Sequence, residues 1–464
     1  MANAVEDYVR SLGLDAYLVG GAVRDELLGR PSKDADFLVP GVDIPELRER
    51  LRPHGRSEEL TVAGRPVGVR FFPRDRAVRE LVPAGIELAP PRREVSTGPG
   101  RHDFAIVVDP QASVETDLER RDFTMNAIAR RLADGAIVDP YGGRADLEAG
   151  VLRAVSPQSF AEDPLRIVRG LRFVSQLAVE PDAGTLAQMA EQAEGVRLVS
   201  GERIGGGLAA DGLGELSKLL LGVRPAHALR LARDTGVLVA IVPELEAAIG
   251  CDQRSRTHDL TLDEHLFAVV QAAADAGRPL RVRLAALLHD LGKPPAAWEG
   301  PDGRPSHEQL GAEIAGRVLR RLRYPTELRT RVVQIVRNHT LEIGTGDALR
   351  ARRLLARFGE PLLRDLLDHR EADLRGRRAD DPPQAELDRL AAFRLVVEAE
   401  RSRPHRLADL AVGGDDLIAV GFPPGPELGE ALRALLDDVV DDPELNERDE
   451  LVRRAVARRG ALRP

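Results

Sequence analysis

Hydrophobic and polar positions follow two different patterns along the chain, and the change falls near residue 150. Before it, short β-rich runs alternate with turns, and six runs predict strands: AYLVGG, DADFLVP, VGVRFF, GIELA, FAIVV and AIVDP. The longer stretch LERRDFTMNAIARRL predicts a helix. Beyond residue 150, apolar residues recur at helical spacing almost throughout. The pattern therefore predicts an α+β protein, with a mixed sheet and helices first and an all-α body after it.

Three stretches interrupt this pattern and are predicted to be loops or joints. Residues 90–103 are rich in Pro, Gly and charge, residues 205–214 are rich in glycine, and residues 375–386 are polar and contain proline. The chain has 464 residues, of which 43% are hydrophobic. That length and composition predict several globular domains rather than one core or a disordered chain.

The net charge of −9 argues at first against a nucleic-acid partner. Its distribution changes that picture, because residues 317–357 hold eleven arginines and three acids, whereas residues 409–450 hold thirteen acids and two arginines. Solvated helix faces are one explanation of such segments. A polyanionic partner is the other, and it would predict that the acidic segment lies away from that partner. Only three of the 66 basic residues are lysine, a bias that genomic base composition or phosphate binding would explain.

The N-terminus and the cysteine content indicate where the protein works. Cys251 is the only cysteine, so no disulfide framework is possible and a reducing cytoplasm is expected. We find no apolar run of membrane-spanning length, and MANAVEDYVR lacks the basic start of a signal peptide. No membrane partner is expected.

The first chemical motif joins a glycine turn to a pair of carboxylates. Gly20 and Gly21 stand between an apolar strand and a helical stretch, where backbone N–H groups can approach a phosphate, and Arg24 follows one turn later. Asp34 and Asp36 are two apart on a strand and so share a face. Adjacent carboxylates suit Mg²⁺. A structural turn and a solvated loop explain each part alone, but the combination favours a site for a triphosphate and its metal ions.

This region resembles a known family of enzymes. The stretch GGAVRDELLGRPSKDADF is similar to the signature of the class II tRNA nucleotidyltransferase and bacterial poly(A) polymerase family, whose head is a polymerase beta-like nucleotidyltransferase. The stretches RRDFTMNA, DPYGGRADL, EDPLRIVRGLRF and ERI resemble its later motifs in the same order. The resemblance implies that Asp34 and Asp36 bind catalytic Mg²⁺ and that nucleotides are bound by Gly20, Gly21, Arg24, Arg121, Asp122, Asn126, Asp163, Arg166, Arg169 and Arg172.

The spacing within these motifs predicts which side chains act together. Asp163 and Arg166 are expected on one helical face, where carboxylate and guanidinium can satisfy the Watson–Crick edge of cytosine or adenine. The family is thought to use this pair as its template, although a plain intrahelical ion pair is the alternative. Arg169 and Arg172 would contact phosphates or form neck surface.

Two further positions complete the expected head. Asn126 follows Asp122 by four residues and is expected on the same helical face, while Arg121 is the choice for a phosphate or sugar contact. The resemblance places Glu87 as a strand glutamate that assists the aspartate pair or anchors the loop at 90–110. That loop resembles the flexible loop that helps the family switch from C to A addition.

Histidines and aspartates in the helical body form a second motif. The dipeptide His289-Asp290 ends an apolar helical stretch, where polar groups are unusual. With His265 and Asp373 it resembles the ligand order of the HD superfamily of metal-dependent phosphohydrolases, and His307 and His339 resemble its extra histidines for phosphate or a second metal. Any one of these histidines alone would be taken for a surface or core residue. Together they predict a site for Ni, Mn, Co, Fe or Mg ions.

The expected function is template-independent addition of CMP and AMP, from CTP and ATP, to the 3′ end of tRNA, with the acceptor arm held by shape and backbone contacts. The open alternatives are CC-only addition, A-only addition, poly(A) synthesis, and a metal-dependent phosphohydrolase or 2′,3′-cyclic phosphodiesterase as the main activity. The expected domains are a nucleotidyltransferase head (1–150), a helical neck (151–245), an HD domain (246–380) and an acidic helical tail (381–464). The oligomeric state stays open.

Overall fold

The computed structural model describes most of the chain and divides it into two compact units. The described residues are 2–31, 36–62, 64–96, 104–207, 212–253, 259–294, 306–344, 346–377 and 383–461. Asp34 therefore lies outside the described residues. One unit comprises Met1–Pro243 with Leu322–Tyr324, and the other comprises Glu244–Arg321 with Pro325–Pro464.

A seven-stranded mixed sheet organises the first unit, in the order β3-β4-β5-β2-β1-β8-β9. The pair β2–β5 is parallel, and the other neighbours are antiparallel. β6 and β7 form a separate antiparallel pair, and β10 and β11 a short parallel one. The strands are β1 (Tyr17–Val19), β2 (Asp36–Leu38), β3 (Gly55–Val62), β4 (Arg65–Pro73), β5 (Ile86–Ala89), β6 (Arg92–Ser96), β7 (Phe104–Val108), β8 (Ala129–Arg131), β9 (Ile137–Val138), β10 (Val151–Leu152) and β11 (Glu180–Pro181).

Helices cover the sheet and continue into a helical region. Apolar residues of α1 and α3, such as Val9 and Leu47, pack with Phe71 and Ile86 of the sheet in one buried core. The helices of this unit are α1 (Ala2–Ser11), α2 (Gly21–Leu27), α3 (Ile44–Leu51), α4 (Arg76–Leu81), α5 (Val114–Glu119), α6 (Gly143–Glu148), α7 (Ser159–Glu162), α8 (Leu165–Leu177), α9 (Ala183–Glu191), α10 (Glu215–Leu220), α11 (Pro225–Asp234) and α12 (Val237–Ile241).

The glycine-rich stretch 205–214 has a packing role where it is described. A single π-helical turn ends at Gly206, and Gly206 N–H donates to Leu322 O over 3.0 Å. A Cβ on Gly205 would lie 2.7 Å from that same oxygen. The hydroxyl of Ser217 donates to Gly205 O over 2.9 Å and contacts Tyr324 Oη at 2.8 Å. The glycines thus permit a close backbone approach.

The second unit is helical throughout its described part. Its helices are α13 (Leu262–Asp275), α14 (Leu280–Leu288), α15 (His307–Arg321), α16 (Thr326–Arg337), α17 (Ala348–Arg375), α18 (Gln384–Glu400), α19 (Gly414–Ala419), α20 (Pro426–Asp441) and α21 (Arg448–Ala461). Gly359 interrupts α17 with a φ of 70°, and Pro361 follows it, so the two halves of α17 are separate helical segments. No helix in the described ranges is both long and apolar enough to cross a membrane.

The α+β class is confirmed, but one predicted helix is wrong, one predicted loop is partly wrong and one strand was missed. The helix expected over LERRDFTMNAIARRL is absent: α5 ends at Glu119, Thr124–Asn126 is a 3₁₀ turn and β8 begins at Ala129. Within the predicted loop 90–103, residues 92–96 form β6, and residues 97–103 lie outside the described part. The strand β3 was missed because it lies at the edge of the sheet and is polar.

Candidate active site and metal centre

A cleft of about 470 Å³ in the first unit collects most of the predicted head residues. It is bordered by the turn between β1 and α2, by β2, by the segment after α5 and by α8. Its lining residues are Gly20, Gly21, Arg24, Asp36, Arg121, Asp122, Asn126, Asp163, Leu165, Arg166, Arg169, Arg172, Phe173 and Arg203. Eleven of these were predicted from the sequence, whereas Leu165, Phe173 and Arg203 were not among the predicted site residues.

The glycine turn has the local geometry that its sequence predicts. Gly20 has a φ of 71°, and a Cβ there would lie 2.6 Å from Nη1 of Arg121. The backbone conformation therefore favours glycine, and a side chain at this position would also displace the Arg121 guanidinium. Arg24 donates to Asn126 Oδ1 over 2.8 Å and to Asp25 Oδ1 over 2.7 Å. The turn and Arg24 are thus tied to the segment after α5.

Asp36 and Glu87 are neighbours in the sheet. They are paired in the parallel register of β2 and β5, so their side chains emerge on the same face. Arg70 of β4, opposite Glu87 in the next register, donates to Glu87 Oε1 over 2.6 Å. Glu87 does not line the cleft. The strand register places Glu87 beside the predicted metal ligand Asp36. The hydrogen bond from Arg70 fixes the position of the Glu87 carboxylate.

Asp122 is the centre of a buried hydrogen-bond network. Its Oδ1 accepts from Phe123 N and from Asn126 Nδ2, each over 2.9 Å, and its Oδ2 accepts from Arg169 Nε over 2.8 Å. Burial raises the pKa of Asp122, but the charge of Arg169 and these hydrogen bonds outweigh it and bring the pKa to about 2. Asp122 and Asn126 therefore meet as predicted, through a 3₁₀ turn instead of an α-helix.

Arg169 and Arg172 both line the cleft. The Arg172 side chain is mostly buried, whereas that of Arg169 stays about one-third exposed. Arg172 pairs with Glu215 over 2.9 Å, and Arg169 lies 3.8 Å from the same carboxylate. The guanidinium carbon of Arg172 is 4.3 Å from the ring centre of Phe173, and that of Arg24 is 5.1 Å from it. Phe173 thus supports the cations of the cleft from one side.

Asp163 and Arg166 both line the cleft, but they do not share a helical face as predicted. Asp163 is extended, with φ −143° and ψ 98°, because α8 begins only after Pro164. Its two oxygens accept from Arg203 over 3.2 and 2.7 Å. Arg166 donates to Arg120 O over 2.8 Å and to Ser159 O over 3.1 Å. Two backbone carbonyls and the carboxylate of Glu162, 3.1 Å from Arg166 Nη1, therefore orient Arg166, while Arg203 orients Asp163.

The charge of the cleft is strongly positive. Six arginines line it against three aspartates, although the whole chain is acidic. Such a concentration of guanidinium groups favours a polyphosphate ligand. Asp36 supplies one carboxylate oxygen donor of the type that Mg²⁺ prefers.

The second unit brings all six predicted histidines and aspartates together in its interior. Nε2 of His265 lies 3.4 Å from Asp373 Oδ1 and 3.7 Å from Asp290 Oδ2. Nε2 of His289 lies 3.2 Å from Asp290 Oδ2. Nε2 of His339 and of His307 lie 3.3 and 3.9 Å from the other oxygen of Asp290. Two groups of three potential ligands result, and Asp290 belongs to both.

The pKa shifts of His289, His307 and Asp290 suit a divalent metal, whereas, despite burial, Asp290 raises the pKa of His339. Burial lowers the pKa of His289 and of His307, which leaves neutral imidazoles. Burial alone would raise the pKa of Asp290, but His289, His339 and Lys293 hold it well below its usual value. Nε2 of His289 and Oδ1 of Asp290 are buried and have no hydrogen-bond partner among the described residues. Buried donor atoms of this kind fit a metal ion that would complete them.

Two residues of this centre were missed in the sequence. Lys293 Nζ lies 2.5 Å from Asp290 Oδ2. His369 is fully buried, and its ring centre is 4.9 Å from that of His289. Burial holds the pKa of His369 well below its usual value. Its position four residues before Asp373 on α17 is the signal that could have found it.

Comparison with known proteins assigns both regions. Family models match for the poly(A) polymerase head domain over residues 16–153, for the probable RNA- and SrmB-binding site of polymerase A over residues 179–249, and for the HD domain over residues 262–381. A multifunctional CCA protein of Xanthomonas campestris pv. campestris is 37% identical over 437 residues, which cover 90% of this chain and 95% of that protein. The chain belongs to the multifunctional CCA protein family.

Other members and solved structures agree with this membership. The multifunctional CCA protein of Ralstonia nicotianae is 37% identical over 380 residues, covering 79% of this chain and 82% of that protein. The CCA-adding enzyme of Bacillus stearothermophilus, solved with CTP, has a TM-score of 0.66 and 25% identity over 99% of this chain and 97% of that one. The Thermotoga maritima enzyme complexed with tRNA shares the fold, with a TM-score of 0.58.

Proposed function

We propose that this protein adds CMP and then AMP, from CTP and ATP, to the 3′ end of tRNA without a nucleic-acid template. The cleft of six arginines beside Asp36 is the observation that carries this proposal. In this proposal, Arg24, Arg121 and Arg169 would hold the triphosphate, and the glycine turn would let backbone N–H groups approach it. The reducing cytoplasm is the expected compartment.

Two Mg²⁺ ions held by Asp34 and Asp36 would lower the pKa of the attacking 3′-hydroxyl and stabilise the pyrophosphate leaving group. Glu87, one strand away from Asp36, would keep this face acidic. Asp163 would accept from the exocyclic amino group that cytosine and adenine share, and Arg166 would donate to a ring acceptor. The base is thus selected by side chains whose orientation is set before the nucleotide arrives.

The test of this chemistry is label transfer from CTP and ATP to tRNA that lacks CCA. We expect Asp36→Ala to reduce transfer at least a thousandfold, because the metal site loses a ligand. Asp75→Ala is the matched control, since Asp75 only caps α4. Transfer at the wild-type rate by Asp36→Ala would contradict the assignment.

We further propose that the histidine–aspartate centre is a phosphohydrolase acting on 2′,3′-cyclic phosphates. Two ligand groups that share Asp290 support it. Divalent ions bound there, whether Ni, Mn, Co, Fe or Mg, would supply an activated water and neutralise phosphate charge. Hydrolysis breaks one P–O bond of the cycle; the oxygen of water goes to phosphorus, and its proton goes to the released ribose oxygen.

The metal requirement can be checked without measuring turnover. Isothermal titration of the chelator-treated full chain with Ni²⁺ should show at least one site, and the site should be lost in His289→Ala with Asp290→Ala. Unchanged metal binding by that double variant would remove the claim.

A further inference from the structure

A groove of about 570 Å³ lies between α15 and α16, outside both centres. It is lined by Ala312, Glu313, Gly316, Arg317, Arg320, Arg329, Thr330, Val333, Gln334 and Arg337. Four of these side chains are arginines and one is acidic. No aromatic residue is among them. The lining of the groove therefore combines guanidinium groups with a few apolar side chains, such as those of Ala312 and Val333.

These arginines differ from others in the basic segment 317–357. Arg321 pairs with Glu244 over 2.6 Å, Arg352 donates to Val440 O over 2.6 Å, and Arg353 pairs with Asp441 over 3.0 Å. These guanidinium groups form ion pairs or hydrogen bonds within the second unit, and two of them do so with residues of the acidic segment 409–450. By contrast, Arg320 and Arg337 make no side-chain hydrogen bond or ion pair with any residue that the structure describes.

The groove is directed at the metal centre. His307 is the first residue of α15, and His339 lies just beyond the end of α16; their ring centres are 5.4 Å apart. The two helices are therefore antiparallel, with the centre at one end of the pair. Arg337 precedes His339 by two residues. At 1.5 Å per residue, Arg317 and Arg320 lie about 15 and 20 Å along α15 from His307.

A row of this length exceeds what one nucleotide needs. Guanidinium groups bind phosphate oxygens in a forked geometry, and a basic groove without aromatic side chains follows a nucleic-acid backbone without reading or stacking its bases. We propose that the groove holds the phosphate backbone of an RNA strand whose 3′ end lies in the histidine–aspartate centre. This inference rests on the proposed phosphohydrolase activity and makes an RNA end, not a mononucleotide, its substrate.

The experiment compares two substrates on the same protein loaded with Ni²⁺. One is 2′,3′-cyclic AMP, and the other is a ten-nucleotide RNA ending in a 2′,3′-cyclic phosphate. The variant is Arg317→Gln with Arg320→Gln. The control is Arg364→Gln with Arg389→Gln, which removes two exposed charges elsewhere in the second unit. The measured quantity is the ratio of kcat/KM for the RNA to kcat/KM for the mononucleotide, so any loss of folded protein cancels.

We expect the groove variant to lower this ratio about tenfold or more, and the control to keep it. The salt dependence of KM for the RNA should also weaken in the groove variant, by about 0.7 in logarithmic slope for each phosphate that an arginine no longer neutralises. An unchanged ratio and an unchanged salt slope would overturn the proposal that the groove holds the RNA backbone. The proposed phosphohydrolase activity would not be affected by that result. If the wild-type protein hydrolysed neither substrate, both the phosphohydrolase activity and the binding of RNA in the groove would be contradicted.

Discussion

The carboxylate of Asp163 is held by Arg203, which donates to both of its oxygens. A base that uses Asp163 as its acceptor must share that carboxylate with Arg203 or displace it. Arg166 is fixed differently, because its guanidinium donates to the backbone carbonyls of Ser159 and Arg120. Base selection would thus depend on one rigid donor and one acceptor that Arg203 positions.

Replacing Arg203 tests this division of labour. We expect Arg203→Ala to lower kcat/KM for CTP about tenfold to a hundredfold and to raise incorporation of UTP relative to CTP, because Asp163 loses its orientation. Arg203→Lys keeps the positive charge but cannot donate to both oxygens of Asp163 in a forked geometry. Compared with Arg203→Ala, it should therefore recover kcat/KM for CTP more fully than the preference for CTP over UTP. Arg197→Ala, at an exposed pair with Glu194, is the control. Wild-type discrimination in Arg203→Ala would argue against the positioning role.

Asp122 predicts a pH dependence of stability. Its pKa is about 2 in the folded protein against a usual value near 4, so its contribution is complete above pH 4 and is lost as the pH falls towards 2. We expect Asp122→Asn to destabilise the full chain by about 2 kcal/mol at pH 7. Calorimetry should show the difference in melting temperature from the wild type shrinking between pH 4 and pH 3. A difference that stays constant would contradict the buried charge network.

Residue spacing could predict the members of the cleft but only some of their contacts. Gly20, Arg24 and Asp36 are close in sequence, so strand and turn geometry were enough to place them together. Asp163 and Arg203 are forty residues apart, and no local period brings them into contact. His369 was missed because its one sequence signal, the spacing of four residues to Asp373, becomes informative only once both residues are known to lie on one helix.

At the level of elements, the segment from Leu118 to Leu132 shows how side-chain hydrogen bonds override helix propensity. Asp122 accepts hydrogen bonds from Phe123 N and from the side chain of Asn126, and Thr124 donates to Asp146. Short polar side chains that bond in this way compete with the backbone hydrogen bonds of an α-helix. The hydrophobic spacing of this segment could not reveal that competition. The glycine at position 205 is explained by tertiary packing, since Gly205 lies against Leu322, which is distant in sequence.

Gly205 gives the prediction at this scale. A Cβ at Gly205 would lie 2.7 Å from Leu322 O and 2.8 Å from Tyr324 Cε2, so Gly205→Ala should cost about 1 to 3 kcal/mol. In α9, Gly184→Ala meets only Asp182 Oδ2, at 3.8 Å, and is expected to be neutral or stabilising. Thermal unfolding of the two variants of the full chain checks this. Equal melting temperatures would mean that the approach at Gly205 is not tight.

For the whole molecule, charge distribution is more informative than net charge. The chain carries −9, yet six arginines line the cleft and four line the groove between α15 and α16. Part of the acidic segment 409–450 neutralises arginines of the second unit, as Asp441 does for Arg353. The sequence could show that charge is unevenly distributed, but only the fold shows which arginines form ion pairs within the protein.

The product ladder on truncated tRNA tests the central claim most directly. Transcripts ending before CCA, after C and after CC are incubated with labelled CTP or ATP, supplied separately. CTP alone should extend the first two transcripts as far as CC, and ATP alone should add one A to the third. Two C additions with no A, A addition with no C, a long A tail, or no extension at all would contradict CCA addition by this protein.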